Sequence, residues 1–85
     1  MKVYSYKGRK NLVGVNVRLA RKHRIPSLTQ KQLADAMVEK GCEFDRFTVM
    51  RIESGDRFVA DYEVKALAEI LGMSLEEIYS EKEAI

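Results

Sequence analysis

The sequence predicts an all-α fold, a domain of five short helices, and three observations carry that prediction. Apolar residues recur at helical spacing in successive stretches, most clearly at Val64, Leu67, Ala68 and Leu71. These stretches are punctuated by residues suited to starting a helix and by glycines or a proline suited to ending one. With 46% hydrophobic residues, five Gly and one Pro, the 85-residue chain has material for one core and few helix breakers. A chain of this size buries only about 60–65% of its unfolded surface, so nearly every apolar side chain is needed inside.

Residues 1–10 are a basic arm whose loose alternation (Val3, Tyr4, Tyr6) fits either a flexible segment or a short strand. From Asn11 a helical stripe runs through Val13, Val17 and Ala20, with Arg18, Arg21 and Lys22 beside or opposite it. Pro26 ends this helix, because the residue before a proline is pushed out of the α region. Thr29 and Gln32 have capping-box spacing for a second helix, with Leu33, Ala34 and Met37 inward and Gly41 as its stop. Asp45 is an N-cap for a third helix over residues 45–53, with Val49 and Ile52 inward and Gly55 closing it. The fourth helix carries the Val64 to Leu71 stripe and stops at Gly72. Ser74, with Glu77 three residues on, caps a short fifth helix bearing Leu75 and Ile78. Residues 81–85 are expected to fray.

Net charge is only +2, but its sign is segregated: residues 1–24 carry +8, residues 25–60 carry −1 and residues 61–85 carry −5. Such polarity would orient the molecule on a polyanion. No run is apolar enough to span a membrane, and the N-terminal residues lack the apolar stretch of a secretory signal. Together with a single cysteine, Cys42, this predicts a cytoplasmic protein with no internal disulfide. His23 is the lone histidine and Cys42 the lone thiol, on different elements. With no ligand-like spacing and no glycine-rich phosphate loop, no enzyme, metal site or cofactor is expected.

Four stretches carry a resemblance when read in order. They are Val13, Gly14, Val17, Arg18, Ala20 and Arg21; then L-T-Q-x-x-L-A from Leu28 to Ala34; then V-x-R-I-E-x-G from Val49 to Gly55; then L-A-x-x-L-G-x-S-L-x-E-I-Y from Leu67 to Tyr79. The chain resembles the phage-repressor and Cro-like (XRE-type) helix-turn-helix family over roughly residues 13–79. That resemblance implies a compact, lambda-repressor-like five-helix DNA-binding domain over residues 11–80. Two departures stand out. The link before Leu28 is about two residues longer than in the family. The joint before Asp45 is about five residues longer than the usual three- to four-residue turn. Val38, Cys42 and Phe44 are apolar enough to fold the excess onto the core.

In the family the helix after the turn lies in the major groove. Carried over by position, Arg46, Phe47 and Arg51 are the base-facing candidates. Arg46 suits guanine O6 and N7, and Phe47, if outward, suits a thymine methyl rather than the core. Gln30, at the start of the second helix, is a phosphate candidate, as are Thr48, Ser54 and Arg57, which would set register rather than sequence preference. Lys7, Arg9 and Lys10 would add sequence-independent affinity or stay solvated. The resemblance also implies that Arg21 and Glu53 pair in a structural role.

The expected function is therefore a sequence-specific DNA-binding transcription regulator, a repressor acting on double-stranded DNA as a homodimer. Its sites would be pseudo-palindromic, and neither a small-molecule substrate nor a membrane partner is expected. The rival is a protein-interaction module of the same fold, an antitoxin or an adaptor to another regulator. Its surface would come from Leu75, Ile78, Tyr79 and Ile85.

Overall fold

Thr29, Asp45 and Ser74 each accept a hydrogen bond from the amide three residues on, at 2.9–3.0 Å, and each starts a helix. These are three of the five helices in the computed structural model, which describes residues 5–81. The elements are α1 (Gly14–His23), α2 (Gln30–Glu39), α3 (Arg46–Ser54), α4 (Asp61–Leu71) and α5 (Leu75–Ile78). The capping boxes of α2, α3 and α5 are complete in both directions. In α4 the Glu63 carboxylate reaches back to accept from the Ala60 amide at 2.9 Å. Helix α1 starts at Gly14, with Val13 at the N-cap position, rather than at Asn11, whose side chain instead serves the first amide of the helix. Asn11 Oδ1 accepts from the Gly14 amide at 2.8 Å.

Helices α2, α3 and α4 end with one device. Cys42, Asp56 and Met73 donate their amides to the carbonyls of Met37, Arg51 and Ala68, five residues back, at 2.8–3.0 Å. The preceding glycines, Gly41, Gly55 and Gly72, sit in the left-handed region. This is the Schellman arrangement, which satisfies carbonyls that a helix end would otherwise leave open.

The core draws on every helix: Val17 from α1, Leu33 and Met37 from α2, Val49 and Ile52 from α3, Val64, Leu67 and Ala68 from α4, and Ile78 from α5. Ala20 and Leu71, expected in the stripes, are only half-buried. The Asn16 side-chain amide donates to the carbonyls of Ile78 at 3.0 Å and Ser80 at 2.6 Å, fastening α5 to α1. No buried side-chain nitrogen or oxygen among the described residues lacks a partner.

The long joint between α2 and α3 does fold back, with Cys42 and Phe44 both buried. Val38 does not take part: it is 54% exposed, because α2 continues to Glu39 and its phase turns Val38 outward from the Leu33–Met37 stripe. Of the N-terminal arm, residues 1–4 lie outside the described residues. Tyr6 and Arg9 form a two-residue hairpin turn whose centre, Lys7 and Gly8, has positive φ. Lys10 then donates its amide to the Gly55 carbonyl at 2.8 Å, and the Arg9 guanidinium donates to the Glu53 carbonyl at 2.9 Å. Residues 5–10 are thus seated on the end of α3. Of residues 81–85 only Glu81 is described, so the fraying expected there lies outside the described residues. No described helix is long and apolar enough to cross a membrane.

Candidate nucleic-acid interface

Once Asp45 fixes the start of α3, burial of Val49, Ile52 and Glu53 sets the rotation of the helix. The opposite face then holds Arg46, Phe47, Met50, Arg51 and Ser54, all exposed. Phe47 points outward, 54% exposed, so it is not core. The Arg46 guanidinium lies over its ring, 4.9 Å from the centroid. A cation over an aromatic face contributes about 0.5–1 kcal/mol at an exposed site. It also restricts two long side chains that would otherwise sample many rotamers. Beside them a shallow groove between α2 and the start of α3 is lined by Lys31, Ala34, Asp35 and Phe44.

The N-terminus of α3 is already occupied by charge. The Asp45 carboxylate accepts from the Thr48 amide and hydroxyl. The bond from the Thr48 amide leads in holding its pKa below the usual carboxylate value. It is therefore ionised at neutral pH on the positive end of the helix dipole. A phosphate would have to displace it, so Thr48 is a capping residue here and its hydroxyl is not free to aim at a backbone. Ser54 is exposed, with its hydroxyl on the Arg51 carbonyl at 3.1 Å. Gln30 is half-buried and donates to Glu53 Oε1 at 3.1 Å, which ties the first residue of α2 to the last turn of α3.

Arg21 and Glu53 pair as expected. Nε and Nη2 of Arg21 meet the two carboxylate oxygens at 2.6 and 2.9 Å, with the side chains only 10% and 4% exposed. The remaining guanidinium nitrogen, Nη1, donates to the Leu28 carbonyl at 2.9 Å. This one pair joins α1, the segment before α2, and α3. Asn11 performs a similar task with a neutral side chain: its amide nitrogen donates to the carbonyls of Ile52 at 3.0 Å and Arg57 at 2.9 Å.

Arg57 requires a change of role. Expected as a phosphate contact, it donates instead to both oxygens of the Glu63 carboxylate, at 3.0 and 3.2 Å. Its guanidinium also covers the Phe44 ring at 5.3 Å. It holds the long α2–α3 joint against the start of α4 rather than projecting beside Arg46. Burial pushes the Glu63 pKa up, but the bonds from Arg57 and the Ala60 amide, with the Arg57 charge, outweigh it. The net value lies below the ordinary 4.5. A carboxyl with a lowered folded-state pKa stabilises fully above its unfolded pKa and loses that contribution as pH falls through the folded one. Arg57→Ala is therefore expected to lower stability at neutral pH by about 1–2 kcal/mol, discounted for partial exposure. It should also flatten the fall in urea midpoint between neutral pH and about pH 3. An unchanged acid profile in the variant would show that the pair contributes nothing.

One residue of this face, Met50, has no role in the sequence reading, and two others, Arg9 and Asn11, take a different one from that expected. Met50 shares the outward phase of Arg46 and Phe47 and was legible from helical spacing alone. Arg9 and Asn11 were not legible, since each bonds backbone carbonyls more than 40 residues away. His23 and Cys42 lie on separate elements, and no described cluster of His, Cys, Asp or Glu could hold a metal ion. Comparison with protein-family models, curated proteins and solved structures found no match for the chain.

Proposed function

We propose that the protein is a sequence-specific DNA-binding transcription regulator, a repressor. On this reading α2 and α3 act as a helix-turn-helix, and α3 lies in the major groove of double-stranded DNA. The observation that carries the reading is the exposed face of α3, where Arg46, Phe47 and Arg51 project together while Val49, Ile52 and Glu53 are buried. Arg46 presents a bidentate fork for guanine, and its seat on Phe47 limits the freedom lost on binding. Arg51 reaches a base or a phosphate one turn further on. Ser54 and the N-terminus of α2 at Gln30 meet the backbone and set register. The positive charge of residues 1–24 supplies a sequence-independent pull. As a homodimer the protein would read half-sites about one helical turn apart.

A second reading rests on Leu75 and Tyr79, which are exposed around α5; Ile78, expected on the same surface, is buried in the core instead, and Ile85 lies outside the described residues. Leu75 and Tyr79 would serve an adaptor or antitoxin surface as well as a homodimer contact.

Selection of bound duplexes from random sequence, with salt titration, separates the two. A DNA reader should enrich one motif and show a steep loss of affinity with salt. Arg46→Ala should then lose preference at a single base position, at a cost of about 1–3 kcal/mol in discrimination. Failure to enrich any motif, with binding indifferent to salt, would leave the protein-interaction reading standing.

A further inference from the structure

We propose that Phe47 and Met50 form one apolar step that reads the 5-methyl groups of two thymines on neighbouring base pairs. The inference rests on the DNA-reading assignment above and specifies its ligand. It starts from an anomaly in α3: a nine-residue helix that buries its inward apolar residues also exposes two large ones, Phe47 at 54% and Met50 at 44%. The fold does not use them, because the core is closed by Val49 and Ile52 on the opposite side of the same helix. Their separation of three residues puts them on one face, about 4.5 Å apart along the axis. A separation of that order is enough for the two side chains to meet different base pairs, which are about 3.4 Å apart along the duplex.

The surroundings decide what the step faces. Arg46 lies over Phe47, and Arg51, four residues after Phe47, is exposed on the same side of α3, so the apolar pair is flanked by two arginines. A purely apolar partner would leave those cations facing a surface with nothing to answer them. The major groove of DNA answers both: guanine offers O6 and N7 to arginine, and thymine alone among the four bases offers a methyl group. Methionine suits this contact because its unbranched thioether adapts to the position of the methyl. The half-site is therefore expected to hold adjacent thymines flanked by guanine, on either strand.

The test uses the enriched duplex and copies in which each thymine of the half-site is replaced by uracil. That exchange removes one methyl and leaves every hydrogen-bonding group in place. Fluorescence anisotropy with the wild-type protein should show two positions where uracil weakens binding, each about three- to fourfold, the worth of one buried methyl. Phe47→Ala should lose its response to one of these uracils, and Met50→Ala to the other. Both side chains are exposed, so circular dichroism should show the two variants folded like the wild type. Selective binding that ignores uracil, an enriched site without thymine, or an unaltered uracil response in both variants would overturn the thymine assignment and leave DNA reading intact. Absence of any selective binding by the wild type would overturn the DNA reading and this inference with it.

Discussion

Arg21→Met is expected to destabilise the domain by about 3–5 kcal/mol, because it leaves the Glu53 carboxylate buried with one partner lost. The wild-type pair is a two-bond fork with both side chains out of water. Among the described residues, only the Gln30 amide, at 3.1 Å, then still serves that carboxylate. A domain of this size has about 5–10 kcal/mol in total, so the loss would take most of it and lower Tm by at least about 12 °C. The effect belongs to the stranded charge rather than to the pair as such. The double variant Arg21→Met with Glu53→Leu should therefore recover much of the stability, since apolar replacements of similar volume often match a buried ion pair. Urea denaturation of the two single variants and the double variant measures this directly. A double variant no more stable than Arg21→Met would show that the geometry of the fork matters in its own right.

Gly14→Ala is the second large effect. Helix α1 crosses α3 so closely at Gly14 that an added Cβ would overlap the Ile52 carbonyl oxygen. It would also come within 2.8 and 2.9 Å of the Arg9 and Asn11 side chains. Arg9 could swing away; the Ile52 carbonyl cannot, since it belongs to the last turn of α3 and accepts from Asn11. The two helices must separate, at about 3 kcal/mol or more, the upper end of overpacking costs. Gly41→Ala supplies the contrast. Gly41 has φ of +92° but open space around its Cβ position, so only backbone strain of about 1–2 kcal/mol should appear. If thermal melts rank the two variants equally, the close approach at Gly14 is softer than its contacts imply. Because Gly14, Arg9 and Asn11 converge on the end of α3, the substitution should also shift the outward face that holds Arg46 and Arg51.

Much of this architecture was legible in the sequence because it is local. Thr29, Asp45 and Ser74 bond amides three residues away, and Gly41, Gly55 and Gly72 turn the chain so that Cys42, Asp56 and Met73 bond carbonyls five residues back. Such interactions leave short-range signatures. The sequence left Phe47 open between the DNA face and the core; the structure turns it outward, because Asp45 and the buried Val49 and Ile52 set the phase of α3. What escaped was long-range and polar. Arg57 reads as an exposed loop cation: Glu63 lies six residues on but across a helix start, and Phe44 lies on the far side of α3, so neither contact leaves a spacing signature. Asn11 reads as the start of a helix, whereas its side chain serves backbone on three segments. Met50 escaped for a different reason: an apolar residue on a helix is read as core unless its phase is checked. Val38 shows the same hazard in the joint, where hydrophobicity alone suggested burial.

The joint between α2 and α3 has a consequence for engineering. It begins with a closing motif at Gly41 and Cys42 that depends only on the last turn of α2, and it finishes with a cap at Asp45 that depends only on the first turn of α3. Phe44 provides its own anchor in between, under the guanidinium of Arg57. Start, anchor and finish therefore travel together as a cassette. Residues Gly41 to Asp45 could be transplanted between two helices of another scaffold that supplies Arg57, Glu63 and an apolar floor for the buried Cys42 and Phe44.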